Sequence, residues 1–208
     1  LLCTLFLNAC GQANNNLPKQ INIPSTRLFI NNIEGFKIAS SFVGLEKDDY
    51  TGLQVTDLIG GNYYTNTNTF NKESFELKGI KVIDFEKTSI NGYPAQLALM
   101  QADVNTKTYS VVFGDSTFSV MVMSAFPTND KKTGENIKKA ILSITYDKKM
   151  KIDPFSTASF ILDENKSIFK FAKSTSNIFF YSINKIKKET YDEDEPILIV
   201  TTLPASQN

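Results

Sequence analysis

The stretch from Ile80 to Ile144 constrains the fold most. It holds runs of alternating side chains, two tight-turn signals at Asn91-Gly92 and Gly114-Asp115, and a final segment of different period. Alternation of period two predicts strands, and Asn-Gly between two such runs predicts a hairpin. The expected strands cover 80–90, 95–104, 108–113 and 117–126. In the last, Phe118, Val120, Val122, Ser124 and Phe126 take one face, and Thr117, Ser119, Met121, Met123 and Ala125 the other. Apolar residues on both faces predict a strand covered on both. After Pro127 the period changes. Ile137, Ala140, Ile141 and Ile144 fall at i, i+3, i+4 and i+7, a helical stripe that packs on the sheet, with Thr133 as its cap.

Upstream, β-rich runs at 27–30, 36–45 and 53–59 predict further strands. Gly60-Gly61 reads as a strand-to-helix turn; without a Lys or Ser pattern it does not make a phosphate loop. Thr67 to Lys78 reads as one helix with Phe70, Ser74 and Leu77 on one face and Gly79 at its C-terminal cap.

Early strands, a helix, a meander with the turn Ile90-Asn91-Gly92-Tyr93-Pro94-Ala95, a strand entering Phe126-Pro127 and a helix ending Ala140-Ile141-Leu142-Ser143-Ile144 form a recognisable order. It resembles the Mog1/PsbP-like superfamily, over about residues 22–146. The resemblance implies an α+β fold, an α/β/α sandwich with a central antiparallel sheet. It also implies a binding or assembly protein, since that superfamily includes many envelope lipoproteins. It implies no catalytic residues at these positions.

The chain opens on an apolar run ending in Leu7-Asn8-Ala9-Cys10, then turns abruptly polar. The run is shorter than the about 20 residues that span a bilayer. It reads as the remnant of a signal peptide over 1–10, and its end resembles a bacterial lipobox with Cys10 as the lipidated residue. Asn8 departs from the usual small or aliphatic residue, and a chance cysteine in a buried strand is the competing reading. The Asn-rich segment 11–21 reads as a flexible tether. Without an initiator Met or basic n-region, the chain reads as a fragment clipped inside its leader.

The residues after Ile144 read as a second beginning. Ser25-Thr26-Arg27-Leu28-Phe29-Ile30 is matched by Ser156-Thr157-Ala158-Ser159-Phe160-Ile161. Phe36-Lys37-Ile38 is matched by Phe169-Lys170-Phe171, and Leu53-Gln54-Val55-Thr56 by Leu198-Ile199-Val200-Thr201. The order is kept, as in a tandem repeat. The expected organisation is therefore one domain over 22–150 and a truncated, β-rich second repeat over 151–208, clipped at its own end.

Composition removes several functions. Lys+Arg and Asp+Glu are both 22, so no basic excess suits nucleic acid. The chain has no histidine, the commonest general base and metal ligand. Both cysteines, Cys3 and Cys10, lie in the apolar run, leaving none for a disulfide or thiolate site in the body. Asp84 and Glu86 share a strand face but need a pocket to serve as an acid/base pair. Ser116 has no activating base. Lys131, Lys132, Lys138, Lys139, Lys148, Lys149 and Lys151 could meet anions, or form a solvated helix face. Asp192-Glu193-Asp194-Glu195 lacks the spacing of a calcium loop and reads as a hairpin loop. Tyr63, Tyr64 and Tyr93 could line a recognition surface or a buried rim.

The expectation is a non-enzymatic, lipid-anchored envelope protein on the periplasmic side or cell surface. It needs no cofactor or metal, attaches to membrane through its anchor, and binds an unidentified protein or small ligand. A hydrolase completed by residues elsewhere, and an immunity or inhibitor-type lipoprotein, are the alternatives.

Overall fold

A computed structural model describes residues 19–156, 158, 160–175, 178–183 and 196–201. The expected lipidation site Cys10, the rest of the anchor and the 192–195 acidic run lie outside them.

The described chain is α+β and mostly antiparallel sheet. β1 (Gln20–Asn22) and β2 (Leu28–Asn31) open it, followed by β3 (Lys37–Ile38), β4 (Gly44–Asp48) and β5 (Thr51–Asp57). Two short helices, α1 (Tyr63–Asn66) and α2 (Lys72–Leu77), precede the meander β6 (Lys81–Ile90), β7 (Tyr93–Gln101), β8 (Thr106–Gly114) and β9 (Ser119–Pro127). Then come α3 (Lys131–Leu142) and β10 (Thr145–Tyr146), and, after an irregular stretch, β11 (Lys170–Thr175), β12 (Ile178–Ser182) and β13 (Ile197–Thr201).

The central sheet has seven strands in the order β3-β4-β5-β9-β8-β7-β6. Its ladders are antiparallel throughout. The meander forms where the alternation places it. Asn91 and Gly92 both take positive φ, 52° and 79°, and Ile90 pairs directly with Tyr93. That makes a two-residue turn, with Tyr93-Pro94 inside the strand rather than the turn.

One face of the sheet is sealed. Leu53, Val55, Val111, Val120 and Val122 pack beneath α3 and the small sheet β1-β2-β10, with Ile23, Leu28, Ile30, Ile137 and Ile141 opposite. α3 starts on Asp130, whose carboxylate accepts from the Thr133 amide at 3.0 Å, so Asp130 and not Thr133 is the cap. Gly134 lets the helix approach closely: a Cβ there would lie 2.5 Å from the Phe126 ring. β1 takes in Gln20 and Ile21, two residues the sequence assigned to the tether. Ile21 pairs with Ile30, which explains why it orders.

The opposite face is only partly covered. The helix expected over 67–78 is confined to α2 (Lys72–Leu77), which starts on its cap Asn71, and a separate short helix, α1, lies upstream of it on its own cap Asn62. Asn71 accepts from the Ser74 amide at 2.8 Å, which breaks the run where a continuous helix needs it. Phe70 and Phe75 meet edge to face and pack on Phe85, Ala98 and Met100, while Leu77 is 88% exposed rather than inward. Gly79 sits just past the α2 cap at φ 78°. The Gly79 amide bonds Glu76 O and the Ile80 amide bonds Phe75 O, closing the helix with a Schellman motif.

The third sheet, in the order β11-β12-β13, is a ladder separate from the central one. It shares a register with the start of that sheet. Ile38 faces Leu45, which faces Leu53. Phe171 faces Tyr181, which faces Leu198. Both middle residues are buried, and the outer pairs are the ones matched in sequence. The first matched segments differ: Ile30 is buried in β2, whereas Ile161 is 93% exposed and outside any strand.

Candidate functional site

The incomplete cover leaves a groove at the β5–β9 side of the sheet. The face is built in cross-strand rows. Gln54 stands opposite Met123, which stands opposite Ser110; Gly52 stands opposite Ala125, which stands opposite Thr108. α1 and α2 cover the β6–β8 end of these rows and stop short of the β5 end. Met121 is covered there, but Met123 is 42% exposed. The expectation that β9 is covered along both faces is thus corrected.

The groove holds about 300 Å³ and is lined by Phe42, Asp48, Asp49, Tyr50, Thr51, Gly52, Gln54, Thr108, Met123, Ser124 and Ala125. Its floor is small and apolar. The Phe42 ring lies across Gly52, where a Cβ would meet it at 3.2 Å. Its rim is the β4–β5 hairpin loop. There Asp48 pairs with Thr51, and an Asp48 carboxylate oxygen accepts from the Tyr50 amide at 2.9 Å. Tyr50 is 79% exposed. The lining contains two carboxylates and no cation. Lys47, between Glu46 and Asp48, is drawn to the other side by Thr133 Oγ1 at 3.1 Å and Asp130 at 3.5 Å.

A second cleft on the same face, about 500 Å³, is lined by Tyr63, Tyr64, Phe85, Lys87 and Gln96 among others. Gln96 Oε1 is buried there without a hydrogen-bond partner. Burial pushes the Tyr63 phenol above its ordinary value, opposed by the neighbouring Gln96 side chain.

The other sequence candidates fall elsewhere. Asp84 and Glu86 do share a face, but Lys138 of α3 reaches both, at 4.0 and 2.9 Å. They anchor the helix to β6. Ser116 sits in the β8–β9 loop beside Asp115, whose carboxylate binds the Thr117 amide and hydroxyl and Lys148. Those bonds, the lysine first, hold Asp115 down at about 2. Two of the seven lysines are engaged in separate ion pairs, Lys138 with Asp84 and Glu86 of β6 and Lys148 with Asp115 of the β8–β9 loop. Tyr93 packs against Phe118 and Tyr146 in the core, Tyr63 is buried, and Tyr64 is exposed. Among the described residues no group of His, Cys, Asp and Glu could hold a metal ion, and no helix is long and apolar enough to cross a membrane.

Two features escaped the sequence reading. Phe42 lay inside the run 36–45 expected as one strand, which instead divides into β3 and β4 with Phe42 between them, and Tyr50 had no signal beyond its ring between two runs. Asp57, on the sealed face, is pushed above its ordinary value by burial, against the pull of Arg27. The Arg27 Nε–H meanwhile donates to Met150 O at 3.1 Å.

No protein-family model matches the chain, and no curated protein matches it. Among solved structures, a protein of Bacteroides thetaiotaomicron is similar at a TM-score of 0.43 and 9% identity, over 63% of this chain. The match spans about half of that protein's length, 49%.

Proposed function

We propose that this is a lipid-anchored binding or assembly module of the bacterial cell envelope, without catalysis of its own, held to membrane through Cys10. The observation that carries the binding reading is the open groove. The sheet face exposes Met123 and Tyr50 in one concavity with a few polar groups beside them, the mixture that lines binding clefts. The lining offers aromatic, thioether and carboxylate groups. No histidine in the chain can serve as a base for its hydroxyls.

The layering supports a Mog1/PsbP-like sandwich over 22–150: α3 covers one face of an antiparallel sheet and α1–α2 part of the other. The shared register of β3-β4-β5 and β11-β12-β13 supports a partial second copy over 151–208.

Two experiments test the reading. Cys10→Ala, expressed in bacterial cells, should lose acyl-chain incorporation and move from the membrane to the soluble fraction; unchanged membrane retention rules out the anchor. Met123→Asp in the anchored protein should abolish recovery of whatever cross-links at the groove, with the fold intact by circular dichroism. Equal recovery by both forms removes the groove as the binding surface.

A further inference from the structure

We infer that the groove receives the cationic side chain, arginine or lysine, of an extended polypeptide segment. The inference rests on the groove being the binding surface and adds the chemistry of what it binds.

Charge is the first argument. Asp48 and Asp49 are the charged residues of the lining. The neighbouring cations are spent: Lys37 pairs with Glu46 at 3.3 Å, and Lys47 is held on the sealed side by Asp130. In a chain of zero net charge, this rim is a local excess of negative charge facing solvent. A positive partner is the complement, and its approach is favoured at low ionic strength.

Shape and polarity are the second. Lysine and arginine carry an aliphatic stem beneath a charged head. The floor of Gly52, Ala125 and Met123 suits the stem, and the carboxylates at the loop suit the head. Phe42 and Tyr50 add aromatic faces, which attract a cation within about 6 Å of the ring centre.

Openness is the third. Sites for small free ligands bury roughly 70–90% of the ligand. This groove, with Tyr50 79% exposed at its edge, would leave a small cation largely wet. A side chain delivered by a polypeptide is held by the chain beyond the groove as well. Gln54 and Thr108 in the lining can bond that backbone.

The test is a titration of the whole isotope-labelled chain, followed by amide resonances. The probes are acetyl-Leu-Arg-Leu-amide and its isosteric, uncharged citrulline counterpart. The expected result is movement of the Gly52, Gln54, Met123 and Ala125 signals. The arginine peptide should bind about fivefold more tightly, the worth of one solvent-facing charge pair. The double variant Asp48→Asn, Asp49→Asn should erase the difference; asparagine keeps an acceptor for the Tyr50 amide, so the hairpin survives. Equal binding of both peptides in the groove overturns the cationic preference and leaves the binding surface standing. Absence of any groove shift with either peptide overturns both.

Discussion

Ser25 and Ser156 meet hydroxyl to hydroxyl, Oγ to Oγ 2.8 Å, although they stand 131 residues apart. They are the first residues of the two segments that match in sequence. Thr175 Oγ1 also donates to Asp57 O at 3.1 Å, so hydrogen bonds at two points tie the C-terminal stretch to the first unit.

The C-terminal sheet has its own aromatic cluster of Phe155, Phe160, Phe171, Phe179 and Tyr181. A separate core under a separate sheet opens as its own cooperative unit. Tyr181→Ala should strip protection from the amides of β11 to β13 while β6 to β9 keep theirs, read by native-state hydrogen exchange. Loss of protection across both sheets together would show one unit.

Asp57 gives a pH signature. Its carboxyl is raised above the ordinary 3.8 by burial, with Arg27 opposing. The fold therefore prefers the protonated form. That contribution is fully present below 3.8 and is lost as pH rises through the folded value. Asp57→Asn, which stays neutral, should raise the Tm at neutral pH and leave it little changed in acid. A Tm lowered at neutral pH and unchanged in acid would mean the ionised carboxylate stabilises the fold.

Asp115 has the opposite sign. It is lowered from 3.8 to about 2, so its stabilisation is present above 3.8 and vanishes as pH falls through about 2. The pair with Lys148 is partly in solvent, with the side chains 29% and 47% exposed. Screening reduces its worth, and Lys148→Ala should cost about 0.5 kcal/mol more at neutral pH than at the acid end, by denaturant titration.

The helices on the partly covered face allow a paired comparison. Phe70→Ala should cost about 3 kcal/mol, because the ring is buried against Phe75 and Phe85. Leu77→Ala should stay within about 0.5 kcal/mol, because Leu77 is 88% exposed. The reverse order in urea melts would show Leu77, and not Phe70, packed on the sheet.

On α3, Gly134→Ala separates propensity from packing. Alanine favours a helix interior by about 1 kcal/mol over glycine. Here its Cβ would lie 2.5 Å from the Phe126 ring. A net loss of stability is expected, and a gain would show that the ring moves aside freely.

The meander and α3 were legible because their signals are local. Asn91-Gly92 can hold positive φ at both positions, and a period of two or 3.6 survives in any environment. The helix over 67–78 was begun five residues too early because asparagine competes for backbone amides: Asn71 caps a new start and leaves 67–71 outside the helix. The groove was not legible at all. Met121 and Met123 share a face of the same strand, and only the reach of α1 and α2 decides which is covered. The carboxylate pair at Asp84 and Glu86 was placed correctly, but its partner Lys138 comes from an element that alternation cannot locate.

The Asn91 side chain does more than shape its turn. Its Oδ1 accepts from the Tyr146 amide at 2.6 Å, on the short strand that completes β1-β2-β10. That acceptor is in position only once β6 and β7 have closed on each other. The small sheet thus has a foothold that comes into being with a hairpin formed elsewhere in the chain. The expected order of assembly is meander before small sheet, and its trace is a φ-value near zero for substitutions at Tyr146 beside high values around Ile90 and Tyr93.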